Sequence, residues 1–111
     1  MKPDHSYRLK DRIRTPAEYQ RVLKARNISR GRWLVVYSLR NGLAHPRLGR
    51  IISKKWGNAV TRNQLRRWIR EAFRHLKCEL PACDIVILPW RTEGIRYADV
   101  LSDLRKLCQS T

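Results

Sequence analysis

Acidic side chains are scarce in this sequence, and they are unevenly placed. The 111 residues hold 9 Asp and Glu against 25 Lys and Arg, which gives a formal net charge of +16 at pH 7. No carboxylate occurs from Tyr19 through Arg70, a stretch that carries 14 of the basic residues. Unneutralised charge on this scale destabilises a folded chain by self-repulsion, and a polyanionic partner is the usual reason to tolerate it. The composition therefore favours a nucleic-acid-binding protein.

Long apolar runs are missing as well, and cysteines are few. No stretch approaches the roughly 18 apolar residues that span a bilayer, and the polar N-terminus lacks the apolar core of a secretion signal. The three cysteines are odd in number, which fits reduced thiols, and Cys78 and Cys83 beside His75 lack the second Cys/His pair of a zinc site. We expect a cytoplasmic protein with no membrane partner and no protein-bound metal.

The few carboxylates also argue against a protein nuclease. The nine acidic residues form no close cluster along the chain of the kind that holds two metal ions, and the sequence has no glycine-rich phosphate loop. His5, His45 and His75 lie in the N-terminal segment, a loop and a helix flank, where surface or packing roles are expected. We therefore expect no catalytic residues in the polypeptide.

What is present is enough for one α+β domain over residues 15–111, preceded by a basic segment, residues 1–14, that we expect to be extended or partly ordered. Thr15, Pro16 and Glu18 have the spacing of a capping box that starts a helix. Strands are expected at residues 33–39, around residues 48–53, and at residues 84–88, where the apolar run 85–88 suits a central strand. Helices are expected from Asn58 to about Lys77 and from near Arg96.

The helix after Asn58 has one apolar face and one basic face. At about 100° per residue, Leu65, Trp68, Ile69, Ala72 and Leu76 fall on one side, with Phe73 at the seam. The opposite arc carries Arg62, Asn63, Arg66, Arg67, Arg70 and Arg74, and Lys54 and Lys55 precede it at an expected strand end. The basic side chains four residues apart on this arc would destabilise an isolated helix, so a phosphate backbone is their expected partner.

This segment resembles the bacterial ribonuclease P protein component. The resemblance is carried by a Ser-Lys-Lys strand end, a Gly-Asn-Ala-Val helix entry and a basic Arg-Asn helix, which are residues 53–55, 57–60 and 62–73 here. The helix at residues 17–23, the strand ending at Tyr37 and the apolar strand fall where the family places them. The similarity covers about residues 8–108. It implies a two-layer sandwich in αβββαβα order, with about four strands in a mixed sheet and a left-handed βαβ crossover.

The resemblance also implies a function and its partners. The family protein binds a large catalytic RNA and helps it to remove the 5′ leader of precursor tRNA, while the RNA supplies the active site and its Mg²⁺ ions. We expect a monomer, one per RNA. The expected contacts to the catalytic RNA are Lys54, Lys55, Asn58, Arg62, Asn63, Arg66, Arg67, Arg70 and Arg74. Gln64 stands where many members carry a further basic residue.

A cleft between the sheet and the first helix is where the family holds the single-stranded leader. Its residues here would be Tyr19, Leu23 and Tyr37. Leu23 stands where an aromatic side chain is common, so it can pack against a base or ribose but cannot stack as a ring. For the two tyrosines, ordinary core packing is the alternative.

Several interpretations stay open at this point. Asn63 could bond a base edge, a 2′-hydroxyl or a neighbouring arginine, and Asn58 is most simply a helix cap. Trp56 and Trp90 could stack on RNA or pack on helices, whereas Trp33 and Trp68 are assigned to the core. The alternative function is a ribosomal or other structural RNA-binding protein with no role in cleavage. A coat for anionic membranes would need an apolar helix face open to lipid.

Overall fold

The computed structural model describes residues 7–109. The expected order αβββαβα is confirmed, and the sequence-based assignments to residues 1–6, including His5, lie outside the described residues. The elements are α1 (Pro16–Lys24), β1 (Ile28–Arg30), β2 (Leu34–Arg40), β3 (Arg47–Arg50), α2 (Ala59–Leu76), β4 (Cys83–Pro89) and α3 (Tyr97–Gln109). Short 3-10 turns occupy Leu9–Asp11, Lys54–Trp56 and Lys77–Glu79.

The four strands form one mixed sheet in the order β1-β2-β4-β3. The apolar strand β4 is central, as predicted: it runs antiparallel to β2, with Tyr37 opposite Val86, and parallel to β3, with Gly49 opposite Val86. Helix α2 makes the crossover between the parallel neighbours β3 and β4. The left hand of that crossover stays a prediction.

The main hydrophobic core lies between one face of the sheet and helices α2 and α3. Leu34 and Val36 of β2 and Ile85 and Ile87 of β4 alternate along their strands and point to this side, as the two-residue period of a strand requires. Phe73, expected at the seam of α2, is fully buried here, and its ring meets that of Tyr7 edge to face at 5.9 Å. The partly buried Trp33 and Trp68 pack against the same cluster.

The opposite face of the sheet is partly covered by α1. Val22 of the helix, Val86 of β4 and Ile13 of the preceding segment are buried there. The expected two-layer arrangement thus describes the sheet with α2 and α3, and α1 adds a partial layer on the other side. The capping box is confirmed: Thr15 Oγ1 accepts from the Glu18 amide at 3.2 Å, and the Thr15 amide donates to Glu18 Oε1 at 3.0 Å.

Two sequence-based assignments of strands are corrected. The strand expected at residues 48–53 is Arg47–Arg50, and the three-residue β1, which pairs with β2, had not been located. The sequence around β1 carries a weak signal because the strand has no buried residue. A strand without a buried face lacks the apolar alternation that sequence analysis depends on.

Residues 7–14 lie against the sheet and α2. The Ile13 amide donates to the Leu48 carbonyl at 2.9 Å, and the buried Asp11 carboxylate lies 3.0 Å from Lys77 Nζ at the end of α2. Removing one partner of such a buried ion pair costs about 3–5 kcal/mol, so this contact fixes the segment firmly. The domain boundary at residue 14 stays a prediction.

Candidate nucleic-acid interface

The basic helix begins where the sequence predicts. Asn58 is its N-cap, because its side-chain Oδ1 accepts from the Thr61 amide at 2.9 Å while its own backbone is extended. The remaining amides of the first turn point out of the helix end, and together with the helix dipole they favour an anion nearby.

Helix α2 divides into the two expected faces. Leu65, Ile69, Ala72 and Leu76 are buried against the sheet and α3. We call the outward side the arginine face. It consists of Arg62, Asn63, Arg66, Arg67, Arg70 and Arg74, all of them half-buried or exposed. The structure therefore brings the predicted helical residues together on one surface.

Local hydrogen bonds orient part of the arginine face. Arg62 Nε donates to the Gly57 carbonyl at 3.2 Å, and Arg66 Nη1 donates to Asn63 Oδ1 at 2.9 Å. Of the roles open for Asn63, holding a neighbouring arginine is the one that this geometry supports. Each guanidinium keeps further N–H donors in its planar fork, which is the geometry that grips a phosphate with two bonds.

One carboxylate interrupts this surface. Glu71 lies 3.6 Å from Arg70 and 2.9 Å from Arg74, so the C-terminal part of the arginine face is partly neutralised. The four-residue spacing considered in the sequence had missed these pairs, which are one and three residues apart. Among residues 7–109, no ion pair joins Arg67 to a carboxylate, and its side chain is exposed. The unneutralised charge is therefore greatest in the first half of α2.

The expected strand end at Lys54 and Lys55 is wrong. Pairing with β4 stops near Arg50, and the two lysines begin a 3-10 turn in which the Gly57 amide donates to the Lys54 carbonyl at 3.3 Å. Gly57 has φ of +122°, a conformation that L side chains rarely adopt, and this lets the chain enter α2. The lysines are exposed on this turn beside the helix start.

Other cations near the arginine face were missed from the sequence. Arg50 at the end of β3 donates from Nη1 to the Arg66 carbonyl at 3.0 Å, and burial lowers the pKa of its guanidinium. Arg8 and Arg12, from the N-terminal segment, line a surface depression with Arg70 and Arg74. The alternation Leu48-Gly49-Arg50 places Arg50 on the α2 side of β3, which is the one signal that could have identified it.

The three residues expected in the leader cleft also meet. Tyr19 and Leu23 of α1 and Tyr37 of β2 are partly buried in the cluster on the far side of the sheet from α2. The ring of Tyr19 lies over Gly49, where a Cβ would come within 2.7 Å of its Cε1, and its hydroxyl accepts from the Arg50 amide at 3.2 Å. Tyr19 is thus also a packing residue, which leaves Tyr37 as the clearer candidate for base contact.

The buried carboxylate of Asp84 in β4 has a structural role, because it is bonded to neighbouring side chains. Asp84 accepts from Arg47 Nε at 2.7 Å and from Arg47 Nη2 at 2.6 Å, and from Asn41 Nδ2 at 3.1 Å.

Across residues 7–109, no three His, Cys, Asp or Glu side chains are grouped so as to hold a metal ion. In the same part of the chain, no helix has the length and apolar character to cross a membrane.

An α+β domain with an arginine-rich helix face, poor in carboxylates and backed by a packed core, has the electrostatic character of a nucleic-acid-binding protein. A sequence model of the family described as Ribonuclease P matches residues 8–111. This match covers most of the chain, and the chain belongs to the bacterial ribonuclease P protein component family.

Individual relatives agree with this assignment. The ribonuclease P protein component of Coxiella burnetii is 45% identical over 78 residues, which is 69% of this chain and 64%, slightly under two thirds, of that protein. The Bordetella petrii protein is 39% identical over 105 residues, with 89% of this chain and 83% of that protein covered.

Solved structures share the fold. The RNase P protein from Thermotoga maritima, in complex with 1-(4-fluorophenyl)-2-thiourea, superposes with a TM-score of 0.83 at 31% identity over 90% of this chain and 99% of that chain. The Staphylococcus aureus RNase P protein gives a TM-score of 0.81 at 33% identity, covering 90% of this chain and 94% of that chain.

Proposed function

We propose that this chain is the protein subunit of a ribonuclease P holoenzyme that removes the 5′ leader from precursor tRNA. The observation that carries the proposal is the arginine face, whose first half holds the half-buried Arg62 and Arg66 and the exposed Arg67, with no ion pair to a carboxylate among residues 7–109. Lys54, Lys55 and the Asn58-capped helix start extend this surface toward the preceding turn. Membership of the family makes ribonuclease P RNA the expected polyanion.

The mechanism is electrostatic and positional. Arginines that contact phosphates allow RNA strands to approach each other closely, so that the RNA binds its Mg²⁺ ions at lower concentration. Bond cleavage and the Mg²⁺ ions belong to the RNA subunit in this proposal, with one protein monomer per RNA. The polypeptide contributes phosphate contacts through α2 and a hold on the single-stranded leader through the cleft beside α1.

Reconstitution tests the proposal directly. The purified protein is mixed with the ribonuclease P RNA of its source organism, and precursor tRNA cleavage is measured at low Mg²⁺ against RNA alone and protein alone. We expect cleavage only where RNA is present and a marked increase on adding protein. Binding to the RNA without any increase in cleavage would favour a structural RNA-binding protein, and cleavage by the protein alone would contradict the proposal.

The leader cleft has its own test in Tyr37→Ala. Stacking of a base on an aromatic ring contributes about 1–3 kcal/mol, so the holoenzyme should lose roughly 5- to 150-fold in affinity for precursor tRNA. Mature tRNA, which has no leader, should bind as before, and Tyr37→Phe should retain most of the affinity. The measurement is equilibrium binding of both tRNA forms; equal losses for the two would remove Tyr37 from the cleft.

A further inference from the structure

An open apolar pocket of about 310 Å³ lies beside the start of α2, on the other side of the sheet from the leader cleft. Trp56 of the 3-10 turn, Trp68 of α2 and Ile95 of the loop before α3 line it. Leu65, only 4% exposed, closes the pocket toward the core, whereas both tryptophans are half-buried. Two aromatic side chains thus border a space that the fold leaves unfilled.

Val60 gives an independent sign that this surface meets a partner. Its side chain lines the pocket and is 77% exposed, the highest exposure of any large hydrophobic residue among residues 7–109. A single exposed valine is ordinary, but here it adjoins two partly exposed indole rings in one concave patch. Patches of this kind mark binding sites more often than the rest of a protein surface does.

The polar groups of the pocket fit the edge of a nucleobase. Gln64 lines the pocket with Thr61 and Thr92, and its exposed amide offers one acceptor and two donors. An amide of this type bonds base edges, as glutamine does with adenine. A flat ligand with apolar faces and a polar edge matches indole rings and an amide better than an aliphatic side chain would.

The surrounding charge indicates what the ligand carries. Lys55 Nζ lies 4.8 Å from the centre of the Trp56 ring, and Arg62 projects from the next turn beside the Gly57 carbonyl. The N-terminus of α2, capped by Asn58, adds the positive end of the helix dipole. A base in this pocket would hold its own phosphates beside these cations, whereas a neutral apolar ligand would gain nothing from them.

We propose that the pocket binds one unpaired nucleobase of the ribonuclease P RNA, stacked against the tryptophans and bonded at its edge by Gln64. The inference rests on the proposed function, because it presupposes that this RNA lies along the adjoining arginine face. The arginine face contacts phosphates, and the pocket would add a contact to a base. Contacts to bases, unlike contacts to phosphates, give a protein preference for particular RNA sequences or structures.

The test compares the affinity of Trp56 variants for the RNA subunit over a salt series, first without and then with precursor tRNA. Trp56→Ala should weaken binding roughly 5- to 150-fold at every salt concentration, because stacking is lost, while the salt slope should stay the same because Lys55 and Arg62 remain to contact the phosphates. Trp56→Phe should recover most of the affinity. Gln64→Ala, at an exposed position, should lose affinity in the same way to a smaller extent, and thermal unfolding checks that each variant folds.

Trp90→Ala is the control, since Trp90 is an exposed tryptophan that, like Trp56, has a cation beside its ring: Arg30 lies 4.4 Å from the ring centre. It should bind the RNA as the wild type does. The proposal would be overturned if both Trp56→Ala and Gln64→Ala bound the RNA as the wild type does. It would also be overturned if Trp90→Ala lost as much affinity as Trp56→Ala. A loss seen only when precursor tRNA is added would also overturn it, since the base would belong to the substrate. Failure of the wild-type protein to bind the RNA would instead contradict the proposed function.

Discussion

At the scale of single residues, the contact between Gly31 and Asp103 shows how closely this fold is assembled. Asp103, only 6% exposed, accepts from the amides of Trp33 at 2.8 Å and Leu34 at 2.9 Å, and so joins α3 to the start of β2. A Cβ at Gly31 would lie 2.6 Å from Asp103 Oδ2. Gly31, which directly follows β1, is therefore needed for space.

Gly31→Ala should accordingly destabilise the protein by about 2 kcal/mol or more, because the carboxylate must move away from the amides that donate to it. Chemical denaturation monitored by circular dichroism measures the change in the free energy of unfolding. Ser102→Ala, one residue from Asp103 and exposed on α3, should change it by less than about 0.5 kcal/mol. A Gly31→Ala protein as stable as the wild type would show that this close approach is not required.

Sequence reasoning succeeded for residues whose partners are near in the chain. The caps formed by Thr15 and Asn58 each bond an amide three residues later, so their spacing is visible in the sequence. The contact of Asp103 spans about seventy positions, and the pair Asp11–Lys77 spans a similar distance. No local pattern encodes such contacts, because they depend on how the elements pack.

At the scale of elements, α1 is attached to the sheet by an ionic bridge. Arg47 of β3 donates from Nη1 to Glu18 at 2.7 Å while its other nitrogens hold Asp84 of β4. The amides of Thr15 and Arg14, followed by Arg47, lower the pKa of Glu18 from 4.5 to about 2. The same carboxylate thus caps α1 and ties it to the strand beneath.

Glu18→Gln tests this attachment through acid stability. The folded protein keeps Glu18 ionised below pH 4.5, where the unfolded chain binds a proton, so stability rises with pH between about 2 and 4.5. The variant should be about 1–2 kcal/mol less stable at neutral pH, and the difference should shrink as pH falls through this window. Unfolding free energies from pH 2 to 7 measure it. Glu93→Gln, on an exposed loop residue, should show no such convergence.

Helix α2 allows a second test at this scale, because its arginines differ in their partners. Arg67 is exposed and forms no ion pair among residues 7–109, whereas Arg70 Nη2 lies 3.6 Å from Glu71 Oε1. Arg67→Ala should weaken binding to ribonuclease P RNA and reduce the slope of log affinity against log salt by about one unit. Arg70→Ala should have a smaller effect. Arg105→Ala, on the exposed side of α3, is the control of equal charge change. An unchanged slope in Arg67→Ala would remove this residue from the RNA contacts.

At the scale of the whole molecule, the two proposed binding surfaces, the arginine face and the leader cleft, lie on opposite sides of one sheet. The order of elements, the central strand and the basic helix could be predicted, because apolar periodicity and caps are local. The position of Lys54 and Lys55 could not, since it depends on where pairing between β3 and β4 stops. The approach of Arg8 and Arg12 to the arginine face could not be predicted either, because it follows from the buried ion pair between Asp11 and Lys77.

The net charge of +16 leads to a prediction for the molecule as a whole. Salt screens repulsion between exposed charges, with a screening length that falls from about 10 Å at 0.1 M to about 3 Å at 1 M. Buried pairs such as Arg47–Asp84 are screened much less, because the Asp84 side chain is 1% exposed. Raising NaCl from about 0.1 to 1 M should therefore increase the thermal midpoint of the free protein while it weakens RNA binding. Calorimetry of the protein alone and binding titrations in the same buffers measure both trends. A midpoint that falls with NaCl would show that surface ion pairs outweigh the repulsion. The fold would then tolerate its excess of positive charge without a polyanionic partner.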